Sequence, residues 1–212
     1  MTLEYPGQSL SMAKRELAQV SPSNPAAPAQ LAFITKRLGD TVAAYSRVAD
    51  VVGDAESAAM ARLVSARMSA VAGTLSAGVG SVPPGSRGEY ITGLCDSALT
   101  VMEARESEMD LAEAALVAVT AAEALGGVRR QVRAGLASGQ WEHVSPSTSR
   151  ELGEVIGMAN ILAANATHTV VTGGGLGRRR RPEGTERHEG RSMPSPGAQD
   201  TPRPDEGRGM SR

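Results

Sequence analysis

The longest stretch without glycine or proline, Leu94 to Leu125, constrains the fold of this chain most. If it were helical throughout, it would form a rod roughly 48 Å long, because an α-helix rises about 1.5 Å per residue. Ser86 and Glu89 have the spacing of a capping box ahead of it, and Gly126-Gly127 is suited to end it. Apolar side chains recur along it at helical spacing. The sequence therefore predicts one long amphipathic helix around which the other helices pack.

The composition favours an all-α fold. Aromatic residues make up only 2% of the chain, so a core of Ala, Val, Leu and Met must be filled by slim, closely packed helices. We predict an antiparallel bundle of about four main helices over residues 29–172. Residues 1–28 are expected to form a short, loosely attached helix followed by a Pro-rich linker. The Arg/Gly/Pro-rich residues 173–212 have too few apolar side chains to form a core and are predicted to be a disordered tail.

Two of the predicted helices carry regular apolar patterns. In the helix from Pro28 to Val52, a seam of apolar residues repeats every seven residues, which is typical of coiled-coil packing. Its members include Leu31, Leu38, Tyr45 and Val52. The helix from Ala55 to Ala77 has a row of small side chains four residues apart, which lets a neighbouring backbone approach closely. That row is Ser69, Gly73 and Ala77. The segment Val128 to Ala137 is predicted to be a short basic connector.

Convergent catalytic residues are scarce. The three histidines are far apart in the sequence, and none lies in the Glu-x-x-His spacing of di-iron bundles. Cys95 has no nearby base in the sequence and is interpreted as a small buried side chain. We therefore predict no catalytic, cofactor or metal site, and a protein that is not an enzyme. Four carboxylates lie beside the apolar stripe of the long helix and form either a solvated face or an acidic docking strip. They are Glu103, Glu106, Asp110 and Glu113.

The leading hypothesis is a structural or protein-interaction protein that works through helix faces, with either another protein or a second copy of itself as the partner. The alternative is a DNA-binding regulator, in which residues 149–170 form a degenerate helix-turn-helix with its turn at Gly157. Its basic tail would then contact phosphates. The candidate nucleic-acid contacts are Asn160, Asn165, Thr167, His168, Arg178, Arg179, Arg180 and Arg181. The opposing interpretation is that residues 152–170 are one closing helix, because their apolar spacing is continuous.

The uncharged stretch Val155 to Gly177 raises the question of a membrane span, since an arginine run follows it. Asn160, Asn165 and His168 lie within it and would be costly in a bilayer, so no membrane span is expected. A single cysteine excludes an internal disulfide, and no leader pattern begins the chain. We expect a cytoplasmic protein. The many arginines, alanines and glycines indicate a bacterial origin.

Overall fold

The computed structural model describes residues 5–77 and 82–173, and the regular secondary structure in these residues is entirely α-helical. This confirms the all-α class, with six helices where about four main ones were predicted. The helices are α1 (Pro6–Leu17), α2 (Ala27–Val51), α3 (Ala55–Ser76), α4 (Arg87–Ala104), α5 (Leu111–Ala137) and α6 (Ser147–Gly173). The predicted tail, apart from its first residue, lies outside the described residues.

The six helices form two layers of three. In one layer, α2 lies between α3 and α4, and in the other α5 lies between α6 and α1. Across the layers α2 packs on α5, α3 on α6, and α1 on α4. The two central helices are therefore surrounded, while the pairs α3/α6 and α1/α4 form the two edges of the bundle.

The two halves of the chain, α1–α3 and α4–α6, pack in the same pattern and exchange their first helices. Among the described helices, α1 contacts α4 and α5 but not α2, and α4 contacts α1 and α2 but not α5. Each exchanged helix runs parallel to the central helix that it joins. Along α1, Gly7 lies against Leu116 and Leu17 against Gly127; along α4, Gly88 lies against Gln30 and Asp96 pairs with Arg37. Neither half therefore encloses its own core.

The prediction of one helix from Leu94 to Leu125 is wrong. The chain leaves α4 at Ala104 and enters α5 at Leu111. Asp110 caps α5, since its side chain accepts a hydrogen bond from the backbone N–H of Glu113 at 2.7 Å. Arg105 bridges the break by binding both carboxylate oxygens of Glu113. The absence of glycine and proline did not exclude a break, because a strong N-cap can begin a new helix without either.

Gly126-Gly127 does not end a helix, and Val128–Ala137 is not a separate connector, because both lie inside α5. Gly127 has a packing role instead. It faces α1, and a Cβ placed there would lie 3.5 Å from the Cβ of Leu17, which is an ordinary van der Waals contact. The arginines of the predicted connector consequently project from the last turns of a long central helix.

The expectation that the first helix is loosely attached is also wrong. Leu10, Ala13 and Leu17 of α1 are at most 1% exposed and belong to the common core. The linker after α1 is held as well, because the indole N–H of Trp141 donates to the carbonyl of Pro22 at 2.9 Å. The predicted heptad seam of α2 is buried except at its last member, Val52, which is exposed.

Candidate protein-interaction surface

Helix α3 is apolar on two opposite faces. One face is buried in the core, and the other carries five exposed small or apolar residues. They are Ala59, Leu63, Ala66, Ala70 and Gly73. Their spacing of 4, 3, 4 and 3 residues is that of the a and d positions of a coiled coil. We call this exposed set the α3 stripe. The predicted small row at four-residue spacing shares only Gly73 with it, because the true period is 3.5 residues.

Helix α6 has a matching exposed set with the same alternating spacing. It consists of Gly157, Ile161, Ala164, His168 and Val171, which we call the α6 stripe. Ile161 is 53% and Val171 75% exposed. Between Val155 and Thr172 the helix carries no Asp, Glu, Lys or Arg. Gly73 and Gly157 both have open space where a Cβ would project. Each stripe therefore has unoccupied space next to its glycine.

The two stripes lie on adjacent helices, and both belong to the outer surface of the α3/α6 edge. The helices meet at one end at Thr169, whose hydroxyl lies 3.2 Å from the Asp54 carboxylate and 3.0 Å from the backbone carbonyl of Asn165, two acceptors that share its one proton. Asp54 is itself the N-cap of α3 and accepts the backbone N–H of Ser57. Two further exposed valines, Val51 and Val52, precede this junction in the chain. Contiguous exposed apolar rows of this kind are typical of interaction sites, whereas isolated exposed apolar residues are common on any protein surface.

The expectation that the chain has no membrane span needs correction. Two helices are long and apolar enough to cross a bilayer: an 18-residue window of α5 has a mean hydropathy of 1.6, and one within Ser147–Thr172 of α6 has 1.2. The test is one of length and composition only, and a core helix passes it as well. The α5 window is 61% buried in the bundle, whereas that of α6 is only 28% buried. The polar residues Asn160 and His168 lower the mean hydropathy of α6, but the helix stays apolar enough to cross a bilayer.

The helix-turn-helix interpretation of residues 149–170 is contradicted by the structure, because α6 is continuous through Gly157. Asn160, Thr167 and His168 are exposed on α6, and Asn165 is half-buried. The hydroxyl of Thr167 donates to the backbone carbonyl of Ala163 at 2.8 Å, as it would in an ordinary helix. Arg178 to Arg181 lie outside the described residues. The four described candidates therefore lie on one continuous helix and not on a separate recognition helix.

The four carboxylates of the proposed docking strip do not share one helix. Glu103 lies in the last turn of α4, Glu106 and Asp110 lie in the break, and Glu113 lies in the first turn of α5. Arg47 of α2 reaches Glu106 at 2.8 Å and Glu103 at 3.3 Å. Since Arg105 binds Glu113 and Asp110 caps α5, all four contribute to holding the α4–α5 corner in place.

Among residues 5–77 and 82–173, the remaining chemistry-bearing groups do not converge on a reaction site. Burial of Cys95 raises the pKa of its thiol to about 12, with a smaller contribution from Asp96, so the side chain is a neutral packing group near pH 7. This confirms that Cys95 is buried. In the described residues, no group of three or more His, Cys, Asp or Glu side chains is placed to hold a metal ion.

Comparison with protein-family models, with curated proteins and with solved structures finds no match for this chain.

Proposed function

We propose that this protein is a non-enzymatic helical-bundle protein that self-associates through its α3/α6 edge. The observation that carries the proposal is the pair of exposed, uncharged stripes with coiled-coil spacing on two adjacent helices. A helix that is polar on its outer face needs no further partner, whereas α3 and α6 each have a second apolar face. The second face is what a partner helix would cover.

The size of the edge suits a stable contact. Helix α3 has 22 residues and is therefore about 33 Å long, and two helices side by side are about 20 Å wide. The edge thus offers about 700 Å² per protomer, close to the roughly 800 Å² per partner of a standard specific interface. Small side chains such as Ala66, Ala70 and Gly73 also let a partner helix approach closely, which increases dispersion contacts.

A second copy of the chain is the occupant that the chemistry favours. The stripes present almost no charge, so they attract neither an acidic nor a basic partner in particular. A surface of small apolar residues is complementary to itself, which is the condition for a two-fold contact between identical protomers. Leu63 and Ile161, the largest exposed side chains of the stripes, would then fill the space left open by Gly73 and Gly157 on the other copy.

Sedimentation equilibrium of the full chain over a range of concentrations tests the proposal. We expect a reversible dimer for the wild type. The double substitution A66E/I161E places a charge on each stripe and should shift the chain to monomer while circular dichroism stays unchanged. The matched control is S97E/T100E, which adds the same charge to the exposed face of α4 and should leave the dimer intact.

A wild type that stays monomeric at every concentration contradicts self-association. So does a dimer that A66E/I161E and S97E/T100E weaken equally, because the contact would then not be at this edge. Flotation with phosphatidylcholine vesicles is run in parallel. Flotation of the wild type that is lost in A66E/I161E would assign the edge to a membrane surface and overturn the proposal.

A further inference from the structure

Away from the α3/α6 edge, an open cleft of about 540 Å³ lies between the end of α5 and the start of α6. Its walls carry three arginines, two on α5 and one on α6. They are Arg129, Arg133 and Arg150. Ser149 and Glu154 of α6 also line it. The volume falls within the usual range of small-ligand sites.

Arg129 is held in place by its surroundings. Its Nε donates to the backbone carbonyl of Ser149 at 3.2 Å, and its guanidinium lies across Gly153. A Cβ at Gly153 would come within 2.7 Å of an Arg129 terminal nitrogen, so the glycine is what makes room for this side chain. Because its Nε is engaged and the guanidinium is planar, the direction of its remaining N–H donors is also set.

The positive charge of the cleft is not neutralised by the rest of the described chain. None of Arg129, Arg133 and Arg150 lies within ion-pair distance of a described carboxylate, although nine other ion pairs are formed in the same residues. Glu154 at the rim offsets one of the three charges. The first turn of α6 adds the positive end of a helix dipole. The cleft therefore has a net charge near +2.

We propose that this cleft is a binding site for a phosphate group. Guanidinium groups bind phosphate oxygens with paired N–H donors, and a helix N-terminus favours the same anion. A phosphate dianion matches the charge of the cleft better than a carboxylate does. Arg129 is the fixed donor, while the exposed Arg133 and Arg150 close on the anion from either side. Glu154 opposes binding.

Titration of the full chain with inorganic pyrophosphate, followed by calorimetry at constant ionic strength, tests the site. We expect saturable binding that the double substitution R133A/R150A weakens about tenfold, or about 0.7 kcal/mol for each exposed pair. E154Q should strengthen binding about threefold, because it removes a like charge. The control R67A removes an exposed arginine on α3 that has no ion pair in the described residues, and it should have no effect.

A second arm replaces pyrophosphate by vesicles containing phosphatidic acid, which presents a phosphate monoester as a lipid headgroup. Vesicle binding that R133A/R150A abolishes would identify a lipid source, whereas pyrophosphate binding without vesicle binding would identify a free phosphate ligand. Either result supports the site. Failure of both probes to bind the wild type saturably, or equal weakening by R67A and R133A/R150A, would overturn it.

Discussion

The two edges of the bundle are built differently although each is a pair of helices that pack across the layers. At the α1/α4 edge, polar groups cover the outer face, and ion pairs fasten the helices to their neighbours. Lys14 binds Glu123 of α5 at 2.7 Å, and Asp96 of α4 binds Arg37 of α2 at 2.9 Å. At the α3/α6 edge small and apolar residues predominate on the outer face. Helix α3 is held to α2 by one ion pair, Arg62 with Asp50 at 2.6 Å, and α6 forms no ion pair in the described residues.

The difference indicates which edge has an outer face suited to solvent and which has an outer face suited to a partner. Exposed ion pairs add little stability, about 0–1 kcal/mol each, but they keep an edge wet and discourage association. The α1/α4 edge must also close the exchange of helices between the two halves, so its inner faces are fully buried. The α3/α6 edge closes no such exchange, and its outer faces resemble the inner faces of a bundle. It is the edge that is suited to a second protomer.

The largest contrast is expected from one apolar truncation on each edge. L17A removes a side chain that is 1% exposed and packs on Gly127, and it should lower the free energy of unfolding by about 2–5 kcal/mol. I161A removes an exposed side chain, so the monomer should lose less than about 0.5 kcal/mol. Urea denaturation at a concentration that keeps the chain monomeric measures both. Equal losses of unfolding free energy in L17A and I161A would contradict the difference in burial between these two side chains.

The free energy of unfolding at alkaline pH tests whether water is excluded from the inner face of α4, where Cys95 lies. Burial raises the pKa of Cys95 from 9.0 to about 12, so above pH 9 the unfolded chain releases the thiol proton while the folded chain keeps it. The folded state is therefore destabilised as pH rises from 9 to 12, by up to about 1.4 kcal/mol per pH unit from this group.

Substitution by alanine removes this dependence. The difference in unfolding free energy between the wild type and C95A should shift against the wild type between pH 9 and pH 11, as measured by urea denaturation. A difference that stays constant with pH would show that the Cys95 thiol is accessible to water in the folded protein.

The smallest effect comes from two glycines with open space around them, one on each edge. G73A on α3 and G93A on α4 should each stabilise the monomer by up to about 1 kcal/mol, because alanine is the better helix former. Only G73A adds a methyl group to the α3 stripe, so only G73A should change the dimer dissociation constant. If G93A altered dimerisation as much, the α1/α4 edge would take part in the contact.

Local signals in the sequence predicted much of the fold. The predicted bounds at Val52 and Ala55 place the α2–α3 corner correctly, because Gly53 adopts a φ of 83° after α2 and Asp54 caps α3. Ser86 likewise caps α4 as predicted. The break before α5 was not predicted although Asp110 and Glu113 have capping-box spacing, because the apolar pattern continues without interruption across the break.

Tertiary packing could not be predicted in the same way. Glycine at 127 has the same local preferences whether it ends a helix or accepts Leu17, and only the position of α1 distinguishes the two. The α3/α6 edge was partly foreseeable, since the 3.5-residue period from Ala59 to Gly73 is visible in the sequence. Its exposure was not, because α3 has a second apolar row that competes for the core. The arginine cleft also depends on α5 continuing past Gly126-Gly127.

The account rests on the α3/α6 edge being the contact between protomers, and a cysteine cross-linking scan tests it most directly. In a C95A background, single cysteines are placed at Ala59, Leu63, Ala66 and Ala70 on the α3 stripe, and at Ser97 and Thr100 on α4. We predict intermolecular disulfides at stripe positions and none on α4. Cross-linking at Ser97 and Thr100 with none on the stripe would contradict the account.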